Sequence, residues 1–94
     1  MDRQTLIAVL ESADGICTTD GKFEVEEEHG LNLYLGQPGQ AMVVRDVRRL
    51  EPADAFLAVV TGEPEATYYL EYGEVHALST IPPEEKSDRR AGFA

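Results

Sequence analysis

The sequence predicts a mainly β (α+β) fold: one short N-terminal helix, then a five- to six-stranded antiparallel meander forming a small barrel or sandwich. Three observations lead there. Helical spacing of apolar residues with cap and stop signals marks the first 13 positions, a period of two takes over from Lys22, and turn signals then recur at roughly ten-residue intervals. Ninety-four residues suffice for one core, with about 64% of the unfolded chain's surface removed from water. The expected organisation is a single globular domain over residues 1–80 and a flexible tail of mixed charge over 81–94.

The helix is expected from Asp2 to Ala13. Leu6, Leu10 and Ala13 stand at i, i+4 and i+7, Asp2 can cap the start, and Gly15 can take the left-handed position past the end. A helix this short must pack on something to persist. Phe23, Val25, Leu31, Leu33 and Leu35 then share one parity, with Glu28-His29-Gly30 as an intervening turn. The stretch Gly36 to Gln40 is a loop, and Ala41 to Leu50 is expected as a strand with a bulge near Arg45, the alternative being a helix over Met42 to Leu50 that would line up Val43, Val47 and Leu50. Glu51 to Asp54 reads as a turn. Ala55 to Thr61 is apolar on both faces, the pattern of a strand covered on both sides. Thr67 to Tyr72 and Glu74 to Ser79 complete the strands, separated by Gly73. From Ile81 onward, Pro82-Pro83 and the charged run Glu84 to Arg90 offer nothing to bury. A leading helix followed by about five twisted strands over residues 2–79 is similar in outline to SH3-like and Sm-like small barrels. That likeness rests on element order and implies no activity.

Charge narrows the function classes. Eighteen Asp and Glu against eight Lys and Arg give a net charge of −10. Neither nucleic acid nor an anionic membrane surface suits such a chain, because both require a basic face. The single cysteine, Cys17, permits no intrachain disulfide, and no secretory signal or membrane span is readable, so the cytoplasm is the expected compartment.

No constellation for chemistry stands out. Cys17 has no local base or positive neighbour, and a small buried apolar side chain is its expected role. His29 and His76 are the only imidazoles, and neither forms a signature with it. Glu26 and His29 have an E-x-x-H spacing, but the four long helices that make such pairs into dimetal sites are absent. On a strand Glu24, Glu26 and Glu28 would share one face, the expected role being a solvated acidic row. Arg45 and Arg49 have an R-x-x-x-R spacing that resembles the arginine motif of PilZ cyclic-dinucleotide receptors. The downstream D/N-x-S-x-x-G run of that family is missing, so cyclic-dinucleotide binding is not expected. Residues 51–85 hold eight acidic residues and no Lys or Arg, which makes balancing of acidic neighbours the expected role for the arginine-bearing strand. No enzyme activity and no cofactor are expected.

What remains is contact. Tyr68, Tyr69 and Tyr72 place an amphipathic aromatic set on one strand, with Tyr68 and Tyr72 on one face and Tyr69 on the other. Together with Glu24, Glu26 and Glu28 they are the candidate partner-binding residues of a protein-binding or regulatory module. Its partner is expected to be a protein, possibly basic, with a homodimer through the Thr67 to Tyr72 strand as a further expectation. The rival reading is an inhibitor or immunity-type protein whose carboxylates mimic polyanion charge and block a basic nucleic-acid site.

Overall fold

The computed structural model describes residues 1–36 and 42–83. Helix α1 spans Arg3–Ser12 and is followed by β1 Ile16–Thr19, β2 Lys22–Val25, β3 Gly30–Leu35, β4 Met42–Val44, β5 Val47–Pro52, β6 Leu57–Gly62 and β7 Glu65–Leu70. A single 3-10 turn at Tyr72–Glu74 then leads into β8 Val75–Ile81. The helix begins as its sequence requires: the Asp2 side chain accepts from the Thr5 N–H at 2.8 Å, filling one of the bonds the first turn lacks. Gly15 sits beyond the helix end at φ +81°, the left-handed conformation.

The strands form two antiparallel sheets, one of five strands in the order β1-β2-β5-β6-β7 and one of three in the order β4-β3-β8. The fold is mainly β behind one helix, and among the described residues neither sheet closes on itself into a barrel. Among the described residues the expected meander is limited to β5-β6-β7, with three consecutive strands side by side. Both sheets and the helix feed one core, in which Leu6 and Leu10 of α1 join Phe23, Leu31, Leu33, Val47, Leu50, Leu57, Val59 and Val75. Burial of these side chains is what holds the short helix in place.

Several local expectations are corrected. Ala41 to Leu50 is not one bulged strand, and of it Ala41 lies outside the described residues. The chain leaves the small sheet after Val44 and enters the large one at Val47, turning at Asp46 with φ +56°. That turn is held by the Asp46 N–H donating to Asn32 Oδ1 at 3.4 Å and by the Asp46 carbonyl accepting from the Gly62 N–H at 3.0 Å. A bulge and a sheet crossing both interrupt a β-branched run, and local pattern does not separate them.

The expected turn at Glu51 to Asp54 starts later, because β5 continues through Pro52 opposite Leu57 and the chain reverses over Ala53–Phe56. Strand β6 buries Leu57, Val59 and Thr61 inward, while Ala58 and Val60 are only half-buried on the other face, so it is not covered on both sides. Thr61 is the buried polar residue of the core, and its Oγ1 donates to the Pro64 carbonyl at 2.7 Å. Strand β8 extends through Ile81, which pairs with Gly30 of β3. Residues 84–94 of the expected tail lie outside the described residues.

Candidate functional site

Two clusters stand at opposite ends of the five-stranded sheet. At the first end, β1 and β2 form a hairpin through Asp20 and Gly21, both at positive φ (51° and 78°), the geometry that two-residue hairpin turns demand. Cys17 on β1 lies opposite Glu24 on β2, and Glu24 in turn lies opposite Arg49 on β5. The Cys17 thiol is exposed rather than buried, because its parity on the strand is that of the outer face while Val25, the partner of Ile16, turns inward. Its Sγ donates to Glu26 Oε2 at 3.4 Å. That hydrogen bond, followed by desolvation of the thiol and the charges on Glu26 and Glu24, holds the thiol above its ordinary pKa and disfavours the thiolate.

Glu26 also faces His29, with Oε1 at 3.6 Å from Nδ1. At that distance the pair is an ion contact when the imidazole is protonated and no hydrogen bond, and Nδ1 is otherwise without a partner. The imidazole packs so closely over Gly15 that a Cβ there would come within 2.2 Å of His29 Cδ2. Arg48 of β5 fastens the same corner by donating to the backbone carbonyls of Glu27 and His29. The expected row of Glu24, Glu26 and Glu28 on one strand face is not formed. β2 ends at Val25, Glu26 turns its carboxylate to Cys17, from which it accepts, and towards His29, and Glu28 lies exposed in the following turn.

At the second end, Tyr69 of β7 lies opposite Ala58 on the outer face of the sheet and is 71% exposed. Phe56, 42% exposed, packs against it edge to face, ring centroids 5.9 Å apart at 71°. Phe56, expected inside a strand covered on both faces, lies instead in the loop before β6. Tyr68 points to the other face, opposite Val59, and is 37% exposed at the sheet margin. Tyr72 departs from the expected strand: it opens the 3-10 turn, packs on the core, and donates its hydroxyl to the Ala53 carbonyl at 2.5 Å. Its role is structural.

The arginines are spent locally. Arg49 Nε donates to Glu51 Oε2 at 3.1 Å and Arg48 Nε lies 3.6 Å from Asp46 Oδ1, whereas Arg45 is exposed at the sheet crossing. Arg48 and Arg49 thus pair with carboxylates two positions away in their own stretch of chain, not with acidic residues on a neighbouring strand as expected. Among the described residues no group of three or more His, Cys, Asp or Glu is arranged to hold a metal ion, and no helix is long and apolar enough to cross a membrane. His76 is exposed on β8, which belongs to the three-stranded sheet.

The chemistry available thus divides cleanly. The first end holds the titratable groups, mutually engaged and with the nucleophile held protonated; the second presents aromatic area to solvent. Comparison with protein-family models, with curated proteins and with solved structures finds no match to this chain.

Proposed function

We propose that this chain is a non-enzymatic protein-binding module of the cytoplasm whose contact is the outer face of the five-stranded sheet around Phe56 and Tyr69. The observation that carries the reading is the exposed aromatic pair itself, 42% and 71% accessible and already packed edge to face. Aromatic side chains with few torsions are the residues through which interfaces gain most of their energy, because they bury much area at small entropic cost. Half-buried Ala58 and Val60 extend the apolar surface beside the pair. Tyr68 at the sheet margin is a peripheral contributor, and Tyr72 is withdrawn from the contact because its hydroxyl is engaged within the fold.

Affinity capture from native lysate tests the reading when the wild type is compared with the Phe56→Ser/Tyr69→Ser double variant at low and at high salt. The reading expects the same partner to be retained at both salt levels by the wild type and lost by the variant, since apolar contacts are not screened. Capture by both proteins that vanishes at high salt would instead support the polyanion-mimic reading, in which surface carboxylates including Glu24 and Glu28 carry the contact.

A further inference from the structure

The outer face of the five-stranded sheet carries its charges in alternating order. Two adjacent rows cross the strands there. One runs through Tyr69, Ala58 and Glu51 and, in the same register, Lys22 and Thr19; the other runs through Thr67, Val60, Arg49, Glu24 and Cys17. Strands β2 and β5 thus each bear one cation and one carboxylate two residues apart, whereas β6 and β7 carry no charge in these rows. Arg3 and Asp20 add one charge of each sign at the rim of the shallow groove along this face, and Glu65 lies one row further out on β7. The remaining described residues hold twelve Asp and Glu against Arg45 and Arg48. Balance between the two signs is therefore a property of this face.

A segment of one sign, acidic or basic, meets like charge on this face as often as opposite charge. A second copy of the chain does not. Turned about a two-fold axis that crosses the strands between the two rows, it lays each strand over its own counterpart and each row over the other. Glu51 then faces Arg49 of the second copy, Lys22 faces Glu24 of the second copy, and Ala58 and Tyr69 face Val60 and Thr67 of the second copy. Arg49 engages Glu51 of its own chain through Nε, which leaves its terminal nitrogens for the other carboxylate. A two-fold axis along the strands would instead set Lys22 and Glu24 of β2 on Ala58 and Val60 of β6, burying charge against apolar surface at a cost. Elsewhere the excess of carboxylates opposes the approach of two copies.

We propose that this chain forms a two-fold homodimer through the outer face of its large sheet, with Tyr69 and the Phe56 ring beside it covered, and with Lys22–Glu24 and Arg49–Glu51 ion pairs made between copies. The proposal rests on the protein-binding reading above and names the partner as a second copy. Two sheets packed face to face keep their strands within about 30° of each other, and the long Lys, Arg and Glu side chains span the offset this angle introduces. Five strands about 4.8 Å apart, at most about six residues long at about 3.3 Å each, make a face of roughly 24 by 20 Å. That is roughly 480 Å² in projection, at the small end of specific interfaces, whose standard is about 800 Å² per partner. Repulsion between two chains of net charge −10 weakens the contact further at low salt. The dimer is therefore reversible, and its population depends on protein concentration.

Sedimentation velocity of the full chain over a range of concentrations at physiological salt tests the proposal, with each variant verified as folded by its melting curve. Wild type should move from the 10.4 kDa of one chain towards twice that mass as concentration rises. Tyr69→Ser should weaken the dimer about tenfold or more. Lys22→Glu and Glu24→Lys should each weaken it too, because each sets like charges face to face at both symmetric contacts. Mixed in equal amounts, these two variants should associate with each other, since every such contact then joins opposite charges; an effect within one chain would not be rescued by mixing. Wild type that keeps the mass of one chain at every concentration would overturn the proposal, and the protein-binding reading would stand if lysate capture still yields another partner that Phe56→Ser/Tyr69→Ser loses. A dimer that persists in Tyr69→Ser, or charge variants whose mixture stays monomeric, would overturn the proposal likewise. Self-association and lysate capture that are both indifferent to Phe56→Ser/Tyr69→Ser would overturn the reading as well.

Discussion

The two ends of the five-stranded sheet spend their side chains in opposite ways. At the β1–β2 end, polar and ionisable groups engage one another: Cys17 donates to Glu26, Glu26 faces His29, and Arg48 holds the turn backbone. At the β6–β7 end, Phe56 and Tyr69 meet each other and then solvent. The dense ionisable cluster is thus the quieter one. Groups already bonded within the fold have less to gain from a partner, although His29 Nδ1 keeps no hydrogen-bond partner among the described residues, whereas exposed apolar area gains free energy only when something covers it.

The core beneath the first end sets the scale for breaking the contrast. Phe23 of β2 is 2% exposed, and Phe23→Ala should cost about 3–5 kcal/mol in chemical denaturation. Tyr69→Ser, on the outer face of the same sheet, should stay within about 0.5 kcal/mol of wild type. If Tyr69→Ser proves as costly as a core truncation, the aromatic pair is a piece of the core and not a contact surface.

Gly15→Ala probes how tightly the first end is packed. It adds a methyl where His29 already stands and forces a left-handed φ on alanine, so a loss of about 1–3 kcal/mol is expected. Adding His29→Ala should restore the part due to the clash and leave the part due to φ, and a double-mutant cycle separates the two. Zero coupling would show that the imidazole does not rest on Gly15.

The tyrosines sharpen the other end. Tyr72→Phe removes the donor to the Ala53 carbonyl and should lower stability by about 1 kcal/mol, while Tyr69→Phe should change nothing measurable. Equal effects would erase the distinction between a structural and a surface tyrosine.

Smaller effects test the electrostatics. The Thr5 N–H holds the Asp2 carboxyl below its ordinary value of 3.8, so the stability this cap contributes is complete above that value and is lost as pH falls through the lower folded one. Asp2→Ala should therefore lower the melting temperature at neutral pH and converge with wild type in strong acid; a constant offset at every pH would contradict the capping role. For Cys17, exposed but held protonated, modification by a thiol reagent near neutral pH should be slower than for an unperturbed thiol. Glu26→Gln should speed it, because the carboxylate that favours the thiol form is gone, and an unchanged rate would dissociate Glu26 from the thiol.

Much of the fold was legible because local rules and tertiary packing agree. Asp2, Leu6 and Leu10 announce the helix, and the odd-numbered apolar set from Phe23 to Leu35 marks the buried faces of β2 and β3. β1 escaped because Ile16 to Thr19 is short and mostly polar, although Asp20-Gly21 is a strong hairpin signal that points back to it. The division of Met42 to Leu50 between two sheets was not legible. It depends on Asn32 and Gly62 holding Asp46, contacts distant in sequence. At the candidate site Tyr68 and Tyr69 were readable from strand parity, while Phe56 was not, since its exposure follows from where the Ala53 to Phe56 turn delivers it.

The most direct test of the central claim is site-specific photocrosslinking from the two ends of the sheet. A photoreactive phenylalanine analogue replaces Tyr69 in one protein and Glu28 in another, and each is irradiated in native lysate. The account predicts a discrete partner adduct from position 69 that survives high salt, and none from position 28. An adduct from position 28 with none from position 69 would contradict it, placing the contact on the acidic corner instead.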